Sequence, residues 1–401
     1  MTSLDRRRFM TTAGVAGAAA ALTSRIPTAA ALDGPAGANI YDFHGAHQAG
    51  VTAPLPSAGM VVALDLRSEN RDELRTALQD LTASIRTVMT GEGYEDRPGG
   101  FPPYDTGILG PVAGATDTAV VVGFGDSMFD DRFGLGDQKP NELQPMMKFG
   151  NDYLVRPEGS HGDISITIGA NSSDAVVHTL RQILRETRGH FVPKWSKEGF
   201  NELNPEAGPD EAPVRNLMGF KDGTANLDSN DPAVMADRVW ISPDDGQPDW
   251  AVGGTYQVIR VIRMQAEFWD RTRLNEQEAI FGRHRDSGAP LGMRNESDTP
   301  EFNGDLESHI ARANPRTTGS EKNLILRRGF NYASGFDGND QLDQGLIFVC
   351  YQRSLEDGFI TVQRRLDGEV LEEYIRPVAG GFFFVPRPPD EEGFLGDELL
   401  A

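Results

Sequence analysis

A strand that runs directly into an amphipathic helix occurs twice in this chain, and that repeat restricts the fold more than any other feature. Asp163-Ile164-Ser165-Ile166-Thr167-Ile168 alternates polar and apolar side chains with period two. A helix from Ser173 to Arg188 follows it, opening at a good N-cap and stopping before Gly189. Gly345 to Tyr351 and Leu355 to Leu366 look like their counterparts. Around the first pair, Met60 to Leu66 and Ala119 to Phe124 read as strands, and Asn70 to about Met89 as a helix with Leu74, Leu78, Leu81 and Ile85 at helical spacing. A further strand begins at His190, which makes the order βαββαβ. The second half repeats it, with strands at Thr255 to Met264, Asn323 to Arg327 and Gly381 to Val385 and a helix from Glu267 to about Phe281. The duplication lies in element order, not in residue identity. It predicts an α+β chain of two ferredoxin-like (split βαβ) antiparallel-sheet domains, 32–212 and 213–401, packed together like a dimeric alpha-beta barrel. Loops at 91–118, 125–160 and 282–308 interrupt the pattern, and loops of that length are usually functional or disordered.

Residues 1–31 stand apart. Arg6-Arg7-Arg8-Phe9-Met10 precedes a mild apolar run, Thr11 to Leu22, and Ala29-Ala30-Ala31 offers a small-residue cleavage pattern. This resembles a twin-arginine export signal, with Asp5 in place of the usual Ser or Thr, and the run is too short for a membrane span. The expected destination is a periplasm or the cell exterior, reached by a chain that folds, and can collect a cofactor, before export. The signal holds four Arg and one Asp, so its removal takes the net charge from -22 to about -25. Such an acidic chain argues against nucleic acid or anionic lipid as partner, since both need a basic footprint. Cys350 is the one cysteine, in the apolar run Leu346 to Cys350, which excludes an intramolecular disulfide and a Cys-based zinc or iron–sulfur site.

The chemistry concentrates in three stretches. Gly219-Phe220-Lys221-Asp222-Gly223-Thr224-Ala225-Asn226 sets an aspartate between glycines. Ser308-His309-Ile310-Ala311-Arg312-Ala313-Asn314-Pro315-Arg316 sets a histidine among cations, and Leu326-Arg327-Arg328-Gly329-Phe330 ends an apolar run on two arginines. A haem peroxidase needs those three things: an imidazole for iron, an acid–base group and a fixed cation. Taken singly, His309 reads as a surface histidine and Asp222 as a turn residue bonding its own backbone. Arg328, one step along a strand from Arg327, points to the opposite face. His44 and His47, in Phe43 to Gly50, lack the carboxylates that would complete a metal site.

Together and in order, these blocks resemble the dye-decolourising peroxidase family, and most closely its exported, iron-transport-associated deferrochelatase/peroxidase branch. The resemblance extends over Phe43 to Gly50, Gly345 to Gln352 and Glu372 to Phe384. It implies haem b (iron protoporphyrin IX), with His309 as the iron ligand and Glu373, or alternatively Glu372, accepting from its other nitrogen. Asp222 becomes the group that moves the peroxide proton, with an acidic pH optimum, and Arg327 the cation that stabilises developing charge. Arg312, one helical turn after His309, is the expected propionate partner, with an ordinary surface arginine as the alternative reading. Gly223 belongs to the distal motif, and Leu346 and Phe348, on one strand face, wall the pocket or simply pack the core. The implied partners are hydrogen peroxide and small aromatic reductants, with no membrane insertion after export; homo-oligomers and iron-uptake partners are compatible with it. Two rival readings share the fold: a haem-handling protein that releases iron, and a haem-free binding module.

Overall fold

The structure, a computed structural model, describes residues 39–91, 94, 99–110, 116–204, 207, 212–302 and 306–401. The export signal expected at 1–31 lies outside them. The first half contributes β1 (Ala58–Leu66), α1 (Arg71–Thr90), β2 (Ala119–Gly125), β3 (Ile164–Ala170), α2 (Ser173–Glu186) and β4 (Phe191–Phe200). Both helices open on side-chain caps, Asn70 accepting from the Glu73 N–H and Ser172 from the Ala175 N–H. A short hairpin of β5 (Val214–Arg215) and β6 (Lys221–Asp222) and then α3 (Pro232–Arg238) lead into the second half. That half contains β7 (Thr255–Met264), α4 (Ala266–Trp269), α5 (Leu274–Phe281), α6 (His309–Ala313), β8 (Leu326–Arg327), β9 (Phe330–Phe336), β10 (Leu342–Gln352), α7 (Thr361–Leu366) and β11 (Ile375–Val385).

The strands order as β2-β3-β1-β4 in the first half and β11-β7-β10-β9 in the second, the same antiparallel split βαβ arrangement in each. Pairing of β11 with β2 and of β4 with β9 joins the halves and, with β7 against β10, closes a barrel. Inward-facing Val61, Val121, Ile259, Val261, Ile347, Val349 and Phe383 fill it. Outward-facing Val62, Leu64, Ile166 and Ile168 pack beneath Leu74, Leu78 and Leu81 of α1 and Val176 and Ile183 of α2. In the second half the corresponding helices are short. They leave part of the outer sheet face, at Arg260, Ile262, Met264, Leu346 and Phe348, facing a cavity instead of a helix.

Three elements depart from the sequence reading. The helix expected from Glu267 to Phe281 is broken at 270–273, where the Gln277 side chain donates to the Trp269 and Thr272 carbonyls. The strand expected from Asn323 to Arg327 pairs only at Leu326–Arg327; the main second strand of this half is β9, three residues further on. The helix from Leu355 to Leu366 begins with a π-helical turn, Glu356–Ile360, distorted at Gly358, which turns Phe359 and Ile360 into the core. The 125–160 segment is packed, burying Met128, Phe129, Phe133, Leu135, Leu143 and Phe149. Cys350 is buried in β10, and burial pushes its thiol pKa well up.

Candidate active site

His309 opens α6. Gly282, at the end of α5 with φ +86, lets that helix approach; a Cβ there would meet Ser308 Oγ at 2.6 Å and Ile310 Cγ1 at 2.7 Å. The imidazole Nδ1–H donates to both oxygens of Glu369, at 3.0 and 2.8 Å, which leaves Nε2 for the cavity that the ring lines. Burial works against the imidazolium, but the charge and hydrogen bond of Glu369 outweigh it and raise the His309 pKa. Glu369 itself is only 5% exposed and so is a fixed orienting group.

This corrects the expectation for Glu373, and for its alternative Glu372. Val370–Glu373 forms a single 3-10 turn that sends Glu373 to solvent. Glu372 accepts from the Gly368 N–H at 3.1 Å through Oε2, while its Oε1 is buried without a partner.

Asp222 lies on β6, opposite Val214 in the hairpin, and Gly223 follows with φ +103, a conformation that L residues rarely adopt. Glu296 braces this loop, accepting from Lys221 Nζ at 2.5 Å, Thr224 Oγ1 at 2.5 Å and the Ala212 N–H at 2.8 Å. Burial opposes ionisation of Glu296, and these donors prevail and lower its pKa. Nothing in the sequence marked Glu296 as a support.

Arg327 ends β8. Asn226 holds its backbone, donating to the Arg327 carbonyl at 2.8 Å and accepting its N–H at 2.9 Å. The guanidinium donates to the Thr224 carbonyl at 2.9 Å and to Asp222 Oδ1 at 3.4 Å. A charge-assisted hydrogen bond is normally ~2.7–2.9 Å, so the pair is loosely engaged and both groups retain capacity for a third. His309 feels the charges of Arg327 and Asp222 without bonding either.

All three side chains, with Gly223, Leu346 and Phe348, line one cavity of about 520 Å³, within the ~300–1,000 Å³ of small-molecule and cofactor sites. Its walls include Met218, Phe220, Phe281, Ile325, Phe359 and Leu366. Arg312 is not among them: it donates to Glu307 at 2.8 Å and to the Asp367 carbonyl at 3.2 Å. The face of α6 turned to the cavity carries His309, Ile310 and Ala313, and Arg312 lies outside that face. Arg215, Arg260, Arg283, Arg316, Arg327 and Arg328 do line it, Arg260 in an ion pair with Asp152. Arg283, 8% exposed, bonds only the Gly288 and Glu296 carbonyls among the described residues, and burial with Arg316 and Arg327 nearby brings its pKa down to about 10. Arg316 donates to the Asn314 carbonyl, and burial lowers its pKa. Arg283 and Arg316, without carboxylate partners among the described residues, leave a place for anions. Asn314-Pro315-Arg316 follows α6 directly, but helical spacing from His309 points to Arg312 and carries no sign of Arg316.

The imidazole with a carboxylate behind it, the apolar walls and the cationic edge fit a haem: a ligand for iron, faces for the ring and partners for the propionates. The barrel and this donor set define a haem-dependent peroxidase. The comparisons specify the kind. Residues 48–201 match the N-terminal and 213–389 the C-terminal profile of Dyp-type peroxidases, and the chain belongs to that family. It is 44% identical over 368 residues to the deferrochelatase of Escherichia coli K12, covering 89% of this chain and 86% of the relative. The deferrochelatase of Shigella sonnei is 44% identical over 369 residues, with the same coverage. Among solved structures, ferric DtpA from Streptomyces lividans (TM-score 0.81, 33% identity) covers 91% of this chain and 98% of its own. A DyP-type peroxidase from Cellulomonas bogoriensis matches equally, with 99% of its own chain covered.

Proposed function

We propose that the cofactor is haem b and that the chain reduces hydrogen peroxide with electrons from small phenols or dyes, acting outside the cytoplasm after twin-arginine export. Bound haem would supply the iron that takes peroxide and the redox equivalents for its cleavage. His309 would hold it through Nε2, with Glu369 fixing the ring, and Arg283 and Arg316 would pair its propionates. Asp222 would take the proton from the inner peroxide oxygen and return it to the outer one, while Arg327 stabilises the negative charge that develops there. The observation that carries this is the shared cavity, lined by an oriented imidazole and by a loose carboxylate–guanidinium pair.

Arg327→Leu is expected to keep haem, seen as an unchanged Soret band, while slowing the reaction with peroxide by about 10²-fold or more. His309→Ala loses haem. A wild-type peroxide rate in Arg327→Leu would refute its role. Replacing Arg6 and Arg7 by Lys should retain the chain in the cytoplasm; unchanged export would refute the route.

The name of the 44% identical relatives favours a second reading, release of iron from haem. Mixing the protein with haem, with and without peroxide, separates the two. Free protoporphyrin fluorescence without an oxidised donor supports iron release, and oxidised donor without free porphyrin supports peroxidation.

A further inference from the structure

β8 separates two cavities. Arg327 faces the one described above. Arg328, the next residue, lines a second of about 230 Å³ between residues 39–57 and the barrel. Ala53, Pro54, Leu55 and Arg328 line both, so the cavities share a wall. Arg328 donates to the Pro54 carbonyl at 3.1 Å and has no carboxylate partner among the described residues. Burial lowers its pKa, the expected response of a cation without a counter-ion. Tyr41, Tyr351 and Phe330 add aromatic surface, and Asn39 and Asn171 add amides that donate to the Asp117 carboxylate, at 2.9 and 3.5 Å, the acid of this lining. Less than half the volume of the first cavity, this one suits a single ring.

We propose that the second cavity binds a one-ring aromatic acid, its carboxylate on Arg328, and that hydroxylated members of that class donate electrons to the site from behind the shared wall. Each phenol gives up one electron and its hydroxyl proton and leaves as a phenoxyl radical; two such donors and one hydrogen peroxide yield two waters. The donor role rests on the peroxidase reading, whereas the binding does not.

Binding is read by saturation-transfer NMR of benzoate, which has no phenol to oxidise, on the full haem-loaded chain without peroxide. The signal should saturate, vanish in Arg328→Gln and survive in Arg327→Leu. Leu203→Trp, which plugs the cavity from a partly exposed rim position, should also abolish it and decides the matter if Arg328→Gln fails to fold. In turnover, Arg328→Gln should raise KM for 4-hydroxybenzoate about tenfold, the usual effect of losing a charged hydrogen bond, and leave KM for phenol within about twofold. Absence of saturable binding, binding unchanged in Arg328→Gln and Leu203→Trp, or binding lost only in Arg327→Leu would overturn the site. Benzoate binding with equal KM changes for both donors would overturn the donor role. A failed peroxidase reading would instead appear as missing turnover with benzoate binding intact.

Discussion

Three glutamates lie within five residues, and the fold gives them different work. Glu369 accepts from His309, Glu372 is half-buried with one unpartnered oxygen, and Glu373 is exposed. A histidine's orienting partner is typically worth about 10–100-fold in metal affinity or activity. Glu369→Gln should therefore speed haem loss to a competing haem-scavenging globin by about that factor, while Glu373→Gln leaves it unchanged. Equal loss rates in the two variants would remove Glu369 from the role. At Glu372, burial and then the nearby Asp367 and Glu369 raise the pKa, against the Gly368 N–H and Arg312, which lower it. A carboxyl whose folded pKa is raised stabilises the fold only while protonated, so the wild type loses stability as pH climbs through that raised value. Glu372→Gln should thus melt higher than wild type at about pH 7, the gap closing as pH falls to the ordinary glutamate range of about 4.3. A gap that stays constant with pH would show that titration is not its cause.

At the scale of elements, β8 is two residues long, yet it carries Arg327, and Asn226 is what makes so short a strand adequate. Its amide meets both backbone groups of Arg327 as a neighbouring strand would. Asn226→Ala orphans both, at ~1–3 kcal/mol for each buried group left unpaired. The expected result is a lower Tm and a slowed peroxide reaction with haem content retained; an unchanged peroxide rate would separate Asn226 from Arg327's placement. The same region marks the limit of what the sequence could tell. The first-half elements, β7 and the arginine-bearing run were legible because period and caps are local properties. Leu324 and Ile325 carry a strand pattern, but they line the cavity, and an apolar residue facing a cofactor site is patterned like one facing a helix. Glu369, Arg283 and Glu296 act through contacts with residues 60, 5 and 13 positions away or across loops, so no local spacing announces them. Arg312 follows His309 by a helical turn, but spacing alone does not say on which side of His309 the cavity lies, and it lies toward Ile310 and Ala313.

Across the whole molecule, the halves meet through little strand pairing: two residue pairs between β11 and β2, and one between β4 and β9. Their cohesion comes from the shared barrel interior, where Gln257 of β7 forms a polar node. It accepts from Ser165 Oγ at 2.9 Å and donates to Thr167 Oγ1 at 3.1 Å, both on β3, and to the Tyr351 hydroxyl of β10 at 3.0 Å. Gln257 and Ser165 are fully buried, so no solvent can replace a partner lost between them. Gln257→Leu keeps comparable volume and removes three hydrogen bonds, leaving Ser165 Oγ only a long bond of 3.5 Å to the Gly123 carbonyl, which should lower stability by about 1–3 kcal/mol. Because the node ties β3 of one half to β7 and β10 of the other, the loss falls on both together. Calorimetry should show one transition displaced downward, with far-UV and near-UV circular dichroism following the same curve. Two resolved transitions in the variant would mean that each half can hold its own fold. An unmoved transition would mean that the apolar interior, Val61 and Val121 against Ile259 and Ile347, binds the halves without help from the node.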